Sequence, residues 1–215
     1  MQVWLIRHGQ SEANAGFSTS MPGEVKLTSK GIEQSEFISE AFSSVPDLVV
    51  TSPFIRTQQT AKPTLAKFSN TFSEQWSIQE FTYLSPQRFP NTNTDDRRPF
   101  VEAYWARNDP DYNDGQGAES FIEFLHRVQG FAKRLSKRKE SFIAVFGHGH
   151  FMKAFLWSVI SGNSFNHDKH ILSGFKHFSK AVKIRNAAII KLNIIDNNIW
   201  LSGISTAHLP DDLIS

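Results

Sequence analysis

The sequence predicts an α/β fold, a three-layer α/β/α sandwich whose mostly parallel central sheet has an antiparallel edge. Short apolar segments at residues 3–6, 48–50 and 142–146 alternate with segments of helical periodicity, which is typical of a parallel sheet covered on both faces. Two further apolar runs, at residues 187–195 and 199–201, are separated by three polar residues. This arrangement predicts a hairpin, so we expect the antiparallel edge there.

Four helices are predicted between these strands. One follows Thr28, a residue type that caps helices, and one starts at Ser52, which precedes a proline in the way that a cap does. Pro63 is expected to kink or interrupt the second helix. An apolar stripe over residues 118–135 predicts the clearest helix, and residues 152–160, apolar nearly all round, predict a buried one.

The helical and strand patterns fail between residues 81 and 117, a segment rich in proline and aromatic side chains. Long segments without regular structure are uncommon inside a domain and are often functional. A chain of 215 residues does not force a division into two domains. We therefore expect one domain over residues 1–215, in which the insertion at about 81–117 acts as a lid or a substrate wall.

The composition excludes several classes of function. A 40% share of hydrophobic residues and a 20% share of charged residues are typical of a globular protein, and a net charge of +2 without an aromatic-basic motif argues against nucleic-acid binding. The chain has no cysteine, which excludes thiol catalysis and disulfides. No apolar run reaches the roughly 18 residues of a membrane span. We expect a cytoplasmic protein; the oligomeric state does not follow from the sequence.

Charged and imidazole side chains follow three of the predicted strands. Arg7 and His8 come directly after the first strand, Arg56 follows the second, and His148 follows the strand at residues 142–146. Open α/β sheets bind their ligands at the carboxyl ends of their strands. We therefore expect these four side chains to form one site.

This set of residues suits a phosphoryl group. The planar fork of an arginine donates two hydrogen bonds to one phosphate and stays charged, and two arginines disfavour the imidazolium form of His8, which keeps it nucleophilic. Gly9 and Gly149 are expected to leave room for an oxyanion beside the backbone. His148, at the start of its helix, can donate to a phosphoryl oxygen.

A metal site is the alternative interpretation, because His148 and His150 resemble a pair of imidazole ligands. Two arginines would repel a divalent cation, however, and no Asp or Glu adjoins the histidines to complete a ligand shell. We therefore predict no metal and no other cofactor.

The sequence resembles the histidine phosphatase superfamily, which has the phosphoglycerate mutase-like fold. The matching stretches, in the family's order, are residues 5–14, Leu27-Thr28 with Gly31 and Gln34, residues 51–61 and residues 147–149. The resemblance implies that His8 is the nucleophile that becomes phosphorylated. It also implies that Arg7, Arg56 and His148 bind the phosphoryl group, with Asn14 beside them.

The resemblance further implies a carboxyl group that protonates the leaving oxygen. Glu80 stands where the family carries this general acid, but the Gly-x-aromatic-Glu-Gly pattern that often follows is missing. Glu119 is the alternative acid, or else a carboxylate in the first turn of its helix. Asn186 matches a family asparagine, or is simply a turn residue.

We predict a metal-independent phosphatase that hydrolyses a small phosphomonoester through a phosphohistidine on His8. Phosphoglycerate mutase-type transfer is the alternative, although the sequence lacks the longer insertion and the acid-flanking motif of those mutases. A catalytically silent phospholigand-binding domain is a second alternative, although every pocket residue is present. The aromatic insertion favours a partly apolar leaving group. Arg88, Arg97 and Arg98 either meet a second anionic group or lie in a solvated loop.

Overall fold

The computed structural model describes residues 1–162, 170–196 and 198–215. The strands are β1 (Gln2–Arg7), β2 (Leu48–Thr51), β3 (Phe72–Gln75), β4 (Phe142–Gly147), β5 (Ile189–Ile195) and β6 (Asn198–Ser205). The α-helices are α1 (Ser29–Glu40), α2 (Ile55–Lys67), α3 (Thr94–Arg107), α4 (Phe121–Leu135), α5 (Gly149–Ile160) and α6 (Ile171–Ala181). Short 3₁₀ turns lie at Pro86–Arg88 and Asp211–Leu213.

The six strands form one sheet in the order β3-β2-β4-β1-β5-β6. The pairs β2–β3, β2–β4 and β1–β4 are parallel, whereas β1–β5 and β5–β6 are antiparallel. The predicted mostly parallel sheet with an antiparallel edge is thus confirmed, including the pairing of the last two strands. The sequence-based prediction placed residue 197 between these two strands, and this residue lies outside the described residues.

Helices cover both faces of this sheet because the side chains of its strands alternate in direction. On β1, Val3 and Leu5 join the apolar cluster that contains residues of α4, α5 and α6. Trp4 and Ile6 join the opposite cluster, which contains residues of α1 and α2. Each fully buried side chain of this size stabilises the fold by about 1.5–3 kcal/mol, so the alternation fixes which face each helix covers.

Two details of α2 differ from the sequence-based expectation. The helix begins at Ile55 with Phe54 as its N-cap, so Ser52 is not the cap. Pro63 lies inside the helix and does not interrupt it. The missing donor of Pro63 removes one hydrogen bond, but the following turn is intact, with Phe68 N donating to Thr64 O over 3.0 Å. The cap predicted at Thr28 is confirmed, since its side chain accepts from Gly31 N.

Two helices and one strand were not predicted from the sequence. Helix α3 occupies the insertion that we expected to lack regular structure, and a capping box formed by Asn93 and Asp96 begins it. Helix α6 and strand β3 were not predicted either. The strand is polar and exposed, with Phe72 at 80% exposure, so it carries no apolar signal. In the described part of the chain, no helix combines the length and the apolar character needed to cross a membrane.

Candidate active site

The candidate active site is a pocket of about 260 Å³ where β1 and β4 end. These two strands run parallel with Arg7 opposite Gly147, and β2 runs parallel to β4 on its other side. The segments after the three strands therefore meet at one edge of the sheet. The polar residues that line the pocket include Arg7, His8, Ser11, Asn14, Thr19, Arg56, Glu80, Thr82, Thr94, Arg97 and His150. Its apolar walls include Val25, Phe54, Phe81, Tyr83, Leu84, Phe89 and Val101.

His8 is buried and its ring is held from both sides. Its Nδ1 donates to the carbonyl oxygen of Gly9 over 2.7 Å, and its Nε2 accepts from Arg56 Nε over 3.2 Å. Burial lowers the pKa of His8 well below its ordinary value, and the charges of Arg56 and then Arg7 lower it further. The ring is therefore neutral at pH 7, with its proton on Nδ1 and its lone pair on Nε2.

Two arginines line the pocket together with this ring. Arg56 donates through Nη1 to the carbonyl oxygen of Pro22 over 2.7 Å, and burial lowers its pKa to about 10, so it stays charged at neutral pH. Arg7 donates through Nη1 to the carbonyl oxygen of Ile184 over 2.6 Å. Its Nε is buried and has no hydrogen-bond partner among the described residues. Such a donor, beside a second guanidinium, suits an anionic ligand.

His148 lies behind His8, with the two ring centroids 5.2 Å apart, and is wholly buried. It is the N-cap residue of α5 and does not line the pocket itself. Its Nε2 is 2.7 Å from Ser52 Oγ, a contact that the sequence analysis missed because it assigned Ser52 to a helix cap. In the part of the chain that is described, its buried Nδ1 has no hydrogen-bond partner.

Glu80 reaches the pocket from the segment after β3, and its carboxylate lies at the amino end of α5. The Oε1 atom accepts from the backbone N–H groups of Phe81 at 3.0 Å, His150 at 3.0 Å and Phe151 at 3.3 Å. Burial alone would raise the pKa of Glu80. The neighbouring side chain of His150 and the charge of Arg56 hold that pKa well below its ordinary value. Glu80 is therefore ionised at neutral pH.

Comparison with known proteins assigns the chain to a family. The sequence model of the histidine phosphatase superfamily (branch 1) matches residues 3–201. The chain belongs to the histidine phosphatase superfamily. An adenosylcobalamin/alpha-ribazole phosphatase of Escherichia coli (strain K12) is 31% identical over 143 residues, which are 64% of this chain and 68% of that protein. The chain is thus a phosphoric monoester hydrolase, as the sequence predicts.

Solved structures agree with this fold. The alpha-ribazole phosphatase from Shigella flexneri superimposes with a TM-score of 0.72 at 23% identity, covering 96% of each chain. A phosphoserine phosphatase from Entamoeba histolytica, solved in complex with 3-phosphoglyceric acid, superimposes with a TM-score of 0.71 at 15% identity. It covers 97% of this chain and 99% of the other. The phosphoglycerate mutase-like fold predicted from the sequence is confirmed.

In this histidine phosphatase the alternative acid, Glu119, is engaged elsewhere. Its carboxylate receives two hydrogen bonds from Arg127, at 2.5 Å from Nη2 and 2.9 Å from Nε, and a third from Thr82 N at 3.1 Å. It does not line the pocket. It also precedes the N-cap of α4, Ser120, so it is not a first-turn carboxylate of that helix.

The two asparagines form one contact beside the nucleophile. Asn186 Nδ2 donates to the carbonyl oxygens of His8 at 3.2 Å and Gly9 at 3.3 Å, and to Asn14 Oδ1 at 3.0 Å. Asn14 Oδ1 also accepts from Ser11 Oγ at 3.0 Å. Asn186 is buried, so it is more than a turn residue: it fixes the backbone that carries His8.

The two glycines of this phosphatase meet different constraints. A Cβ on Gly9 would lie 2.4 Å from the carbonyl oxygen of Gly31, so Gly9 is required by backbone packing and not by room for an oxyanion. A Cβ on Gly149 would lie 3.4 Å from Arg7 Nε and 3.6 Å from Glu80 Oε2. Gly149 therefore does border the charged groups of the site.

Metal ligands were the alternative use of these histidines. Contrary to the sequence argument, a carboxylate does adjoin one of them, because Glu80 Oε2 is 3.8 Å from His150 Nδ1. His148 Nε2 contacts Ser52 Oγ, and His150 borders the pocket whereas His148 does not. Over residues 1–162, 170–196 and 198–215, no group of three His, Asp or Glu is arranged to hold a metal ion.

Proposed function

We propose that this protein is a metal-independent phosphatase that hydrolyses a small phosphomonoester through a phosphohistidine on His8. The observation that carries the proposal is the state of His8: a buried, neutral imidazole whose Nδ1–H donates to Gly9 and whose Nε2 accepts from Arg56, in a pocket that Arg7 also lines. Such a ring attacks phosphorus while Arg7 and Arg56 neutralise the equatorial oxygens. We assign phosphate binding to Arg7, Arg56 and His148, with Asn14 and Gly149 beside them.

The proton on the leaving oxygen comes from Glu80 in this proposal. The carboxylate is ionised in the free protein, so it must gain a proton before it can act as an acid. A phosphomonoester has a second pKa of about 6, so it binds either as a dianion or as a monoanion. The charge of the dianion raises the pKa of Glu80, whereas the monoanion carries the proton into the pocket and can give it to Glu80. After the ester bond breaks, the Glu80 carboxylate accepts a proton from water as that water attacks phospho-His8, which releases phosphate and restores the ring.

The pocket volume of about 260 Å³ and its aromatic walls suit a small ester with a partly apolar leaving group. Residues of the insertion at about 81–117, including Tyr83 and Phe89, line the pocket, and we assign the insertion the role of substrate wall within a single domain. The relatives named above act on alpha-ribazole phosphate and phosphoserine, which are also small phosphomonoesters. We also propose that the protein is cytoplasmic.

The test is turnover of p-nitrophenyl phosphate in the presence of a chelator, combined with trapping of the intermediate. A brief mix with labelled substrate followed by denaturation should leave label that is stable in base and lost in acid, as expected for a phosphoramidate. His8→Ala should carry none. Label that survives acid would point to a phosphoester and would refute the mechanism.

The same assay separates the two alternatives. A mutase would release little phosphate without a bisphosphate primer, because it has to retain its phosphoryl group for a second hydroxyl. A silent binding domain would release none. We favour hydrolysis because Glu80 lines the pocket with its side chain 24% exposed, as a carboxylate suited to activate water.

A further inference from the structure

Three buried side chains form a chain of contacts behind the nucleophile. Ser52, Thr57 and His148 have no exposed surface. Ser52 Oγ lies 2.7 Å from His148 Nε2 and 3.0 Å from Thr57 Oγ1. Thr57 has no part in the chemistry proposed above. Because each hydroxyl group has a single hydrogen to donate, the partners of Thr57 decide the direction of the whole chain.

The hydroxyl of Thr57 is directed away from Ser52. Its Oγ1 lies 2.9 Å from the carbonyl oxygen of Phe54 and 3.2 Å from that of Ser52, and a carbonyl oxygen can only accept. Thr57 therefore donates to Phe54 and accepts the hydrogen of the Ser52 hydroxyl. The Ser52 oxygen, which also accepts from Phe54 N at 3.1 Å, is then an acceptor for His148. It follows that the proton of the neutral His148 ring is on Nε2.

The other nitrogen of this ring keeps a free lone pair. His148 is the N-cap residue of α5, and an N-cap side chain ordinarily accepts from the second or third backbone N–H of its helix. Those two groups, on His150 and Phe151, donate to Glu80 instead. Nδ1 is buried without a partner among the described residues, and the positive end of the α5 dipole favours a lone pair there over an N–H. Nδ1 is thus the ring atom that can gain a proton.

The charges around His148 keep its ring neutral until an anion binds. The titratable groups that act on it are Arg7 of β1, His8 directly after β1, Arg56 of α2 and Glu80 after β3. Burial lowers the pKa of His148 well below its ordinary value, and the charge of Arg56 lowers it further. A dianion bound beside the two arginines opposes their charge and raises this pKa. Anion binding therefore favours protonation of the ring.

We infer that Thr57 is a positioning residue that acts through Ser52 to keep Nδ1 of His148 unprotonated in the free protein, so that this atom takes up a proton when a dianionic phosphoryl group binds. The proton comes from solvent and forms the Nδ1–H bond. The resulting imidazolium donates from Nδ1 to a phosphoryl oxygen and from Nε2 to Ser52, and the proton returns to solvent when phosphate leaves. This inference rests on the proposed phosphatase function.

The experiment measures proton uptake on binding of sulfate, a dianion that brings no proton into the pocket. Glu80→Gln is the reference protein, because it removes a second group that could take up the proton. Calorimetric titrations near pH 7 in buffers of different ionisation enthalpy should give about one proton taken up per sulfate bound, and the Kd should rise about tenfold per pH unit.

Nitrogen NMR of protein labelled with ¹⁵N-histidine identifies the atom that is protonated. The free reference protein should show the Nε2–H form of His148, and sulfate should convert it to the imidazolium form. The signals of His148 are assigned by their loss in His148→Asn.

Thr57→Val, added to the reference protein, should abolish the uptake. Without an acceptor at residue 57, the Ser52 hydroxyl donates to Nε2, so the ring carries its hydrogen on Nδ1 before sulfate arrives. The Kd should then change less than about twofold per pH unit, and the free ring should show the Nδ1–H form. Thr57→Ser should behave as the reference protein does.

Thr64→Val is the matched control. It removes another buried threonine hydroxyl of α2, one that has no hydrogen-bond partner within the described part of the chain. This variant should keep the proton uptake and the Nε2–H form of the reference protein. Thermal unfolding of each variant checks that it is folded.

The outcomes separate this inference from the proposed function. An Nδ1–H ring in the free reference protein would refute the inference, as would unchanged uptake in Thr57→Val. Sulfate binding without uptake, or no sulfate binding at all, would refute it too. The phosphatase function has its own test in the wild-type protein, since turnover of p-nitrophenyl phosphate and trapped label on His8 do not depend on the tautomer of His148. Loss of both would refute that function.

Discussion

Arg56 Nε donates to His8 Nε2 over 3.2 Å, so the nitrogen proposed to attack phosphorus shares its lone pair with a guanidinium. The contact fixes the tautomer of His8, because the proton must then lie on Nδ1, where the carbonyl oxygen of Gly9 accepts it. The substrate must therefore accept the hydrogen bond that Arg56 Nε donates to His8 Nε2 in the free protein. An equatorial oxygen of the phosphoryl group can accept it, which frees the lone pair of Nε2 to attack phosphorus.

Removing Arg56 is expected to have two effects on His8. Arg56→Ala should lower kcat and raise KM, by roughly 2–4 kcal/mol in kcat/KM if the guanidinium acts like other donors to a developing oxyanion. It should also raise the pKa of His8, because the charge of Arg56 is the largest cause of its depression after burial. The acid limb of the pH profile of kcat/KM should thus move to higher pH.

Arg56→Lys should keep that limb near the wild-type position, because the positive charge remains. It should recover kcat only in part, since lysine lacks the planar guanidinium that donates two hydrogen bonds. Equal kcat in Arg56→Ala and the wild-type protein would exclude Arg56 from the pocket chemistry.

Replacing Glu80 should affect substrates according to their leaving groups. Glu80→Gln should slow an alkyl phosphate by ~10² to 10⁴-fold, because the alkoxide needs a proton, and should slow phosphoryl transfer from p-nitrophenyl phosphate much less. Hydrolysis of phospho-His8 should then be limiting, so stopped-flow measurements should show a burst of p-nitrophenol. Glu119→Gln is the comparison. If Glu80→Gln lowered the rate equally for both substrates and gave no burst, Glu80 would be excluded as the acid and Glu119 would be the remaining candidate.

The depressed pKa of Glu80 also predicts the pH dependence of the first step. Since the free carboxylate is ionised, the proton for an alkyl leaving group enters with the monoanion of the substrate, whose second pKa is about 6. For an alkyl phosphate, kcat/KM should therefore fall about tenfold per pH unit above that value. For p-nitrophenyl phosphate it should stay nearly flat there. A flat profile for both esters would show that Glu80 does not supply this proton.

Ser52 is expected to act through His148. Because Ser52 Oγ engages Nε2 of this ring at 2.7 Å, the ring is oriented, and its buried Nδ1, without a partner among the described residues, is the atom that we propose to donate to a phosphoryl oxygen. Ser52→Ala should lower kcat by about 2- to 10-fold, the value of one hydrogen bond, with a smaller change in KM. Ser52→Thr should restore part of the rate. Ser39→Ala, which removes a buried hydroxyl on α1, is the control. A loss of thermal stability in Ser52→Ala with kcat unchanged would mean that the contact is structural only.

The buried neutral rings of His8 and His148 should make stability depend on pH. Burial and neighbouring positive charge hold both folded pKa values well below about 6.5, the value in an unfolded chain. Their contribution is complete above pH 6.5 and is lost as the pH falls, because the unfolded state then binds protons that the folded state does not. Each ring contributes up to about 1.4 kcal/mol per pH unit to the free energy of unfolding in this window.

The free energy of unfolding, measured in phosphate-free buffer from pH 7.5 to 5.5, should change less steeply with pH in His8→Asn and in His148→Asn than in the wild-type protein. Identical slopes would show that the rings are protonated in the fold.

Much of the fold follows from local sequence. The runs that became β1 and β4 are apolar because both faces of a central strand are buried, and α4 shows its period because one face packs on the sheet. Helix α3 was not predicted because it buries little beyond Arg97 and Tyr104, which leaves no apolar stripe. The capping residues Asn93 and Asp96 were the signal that would have revealed this helix.

The sequence by itself determined the family, five of the six strands, and the placement of Arg7 and His8 at the end of β1 and of Arg56 shortly after β2, since each depends on neighbours within a few residues. Tertiary structure alone decided the contacts that give these groups their chemistry. Ser52 meets His148 across 96 residues, and Glu80 meets the backbone of His150 across 70. Such pairs depend on how separate elements pack, and their pKa values depend on burial, which no local pattern encodes.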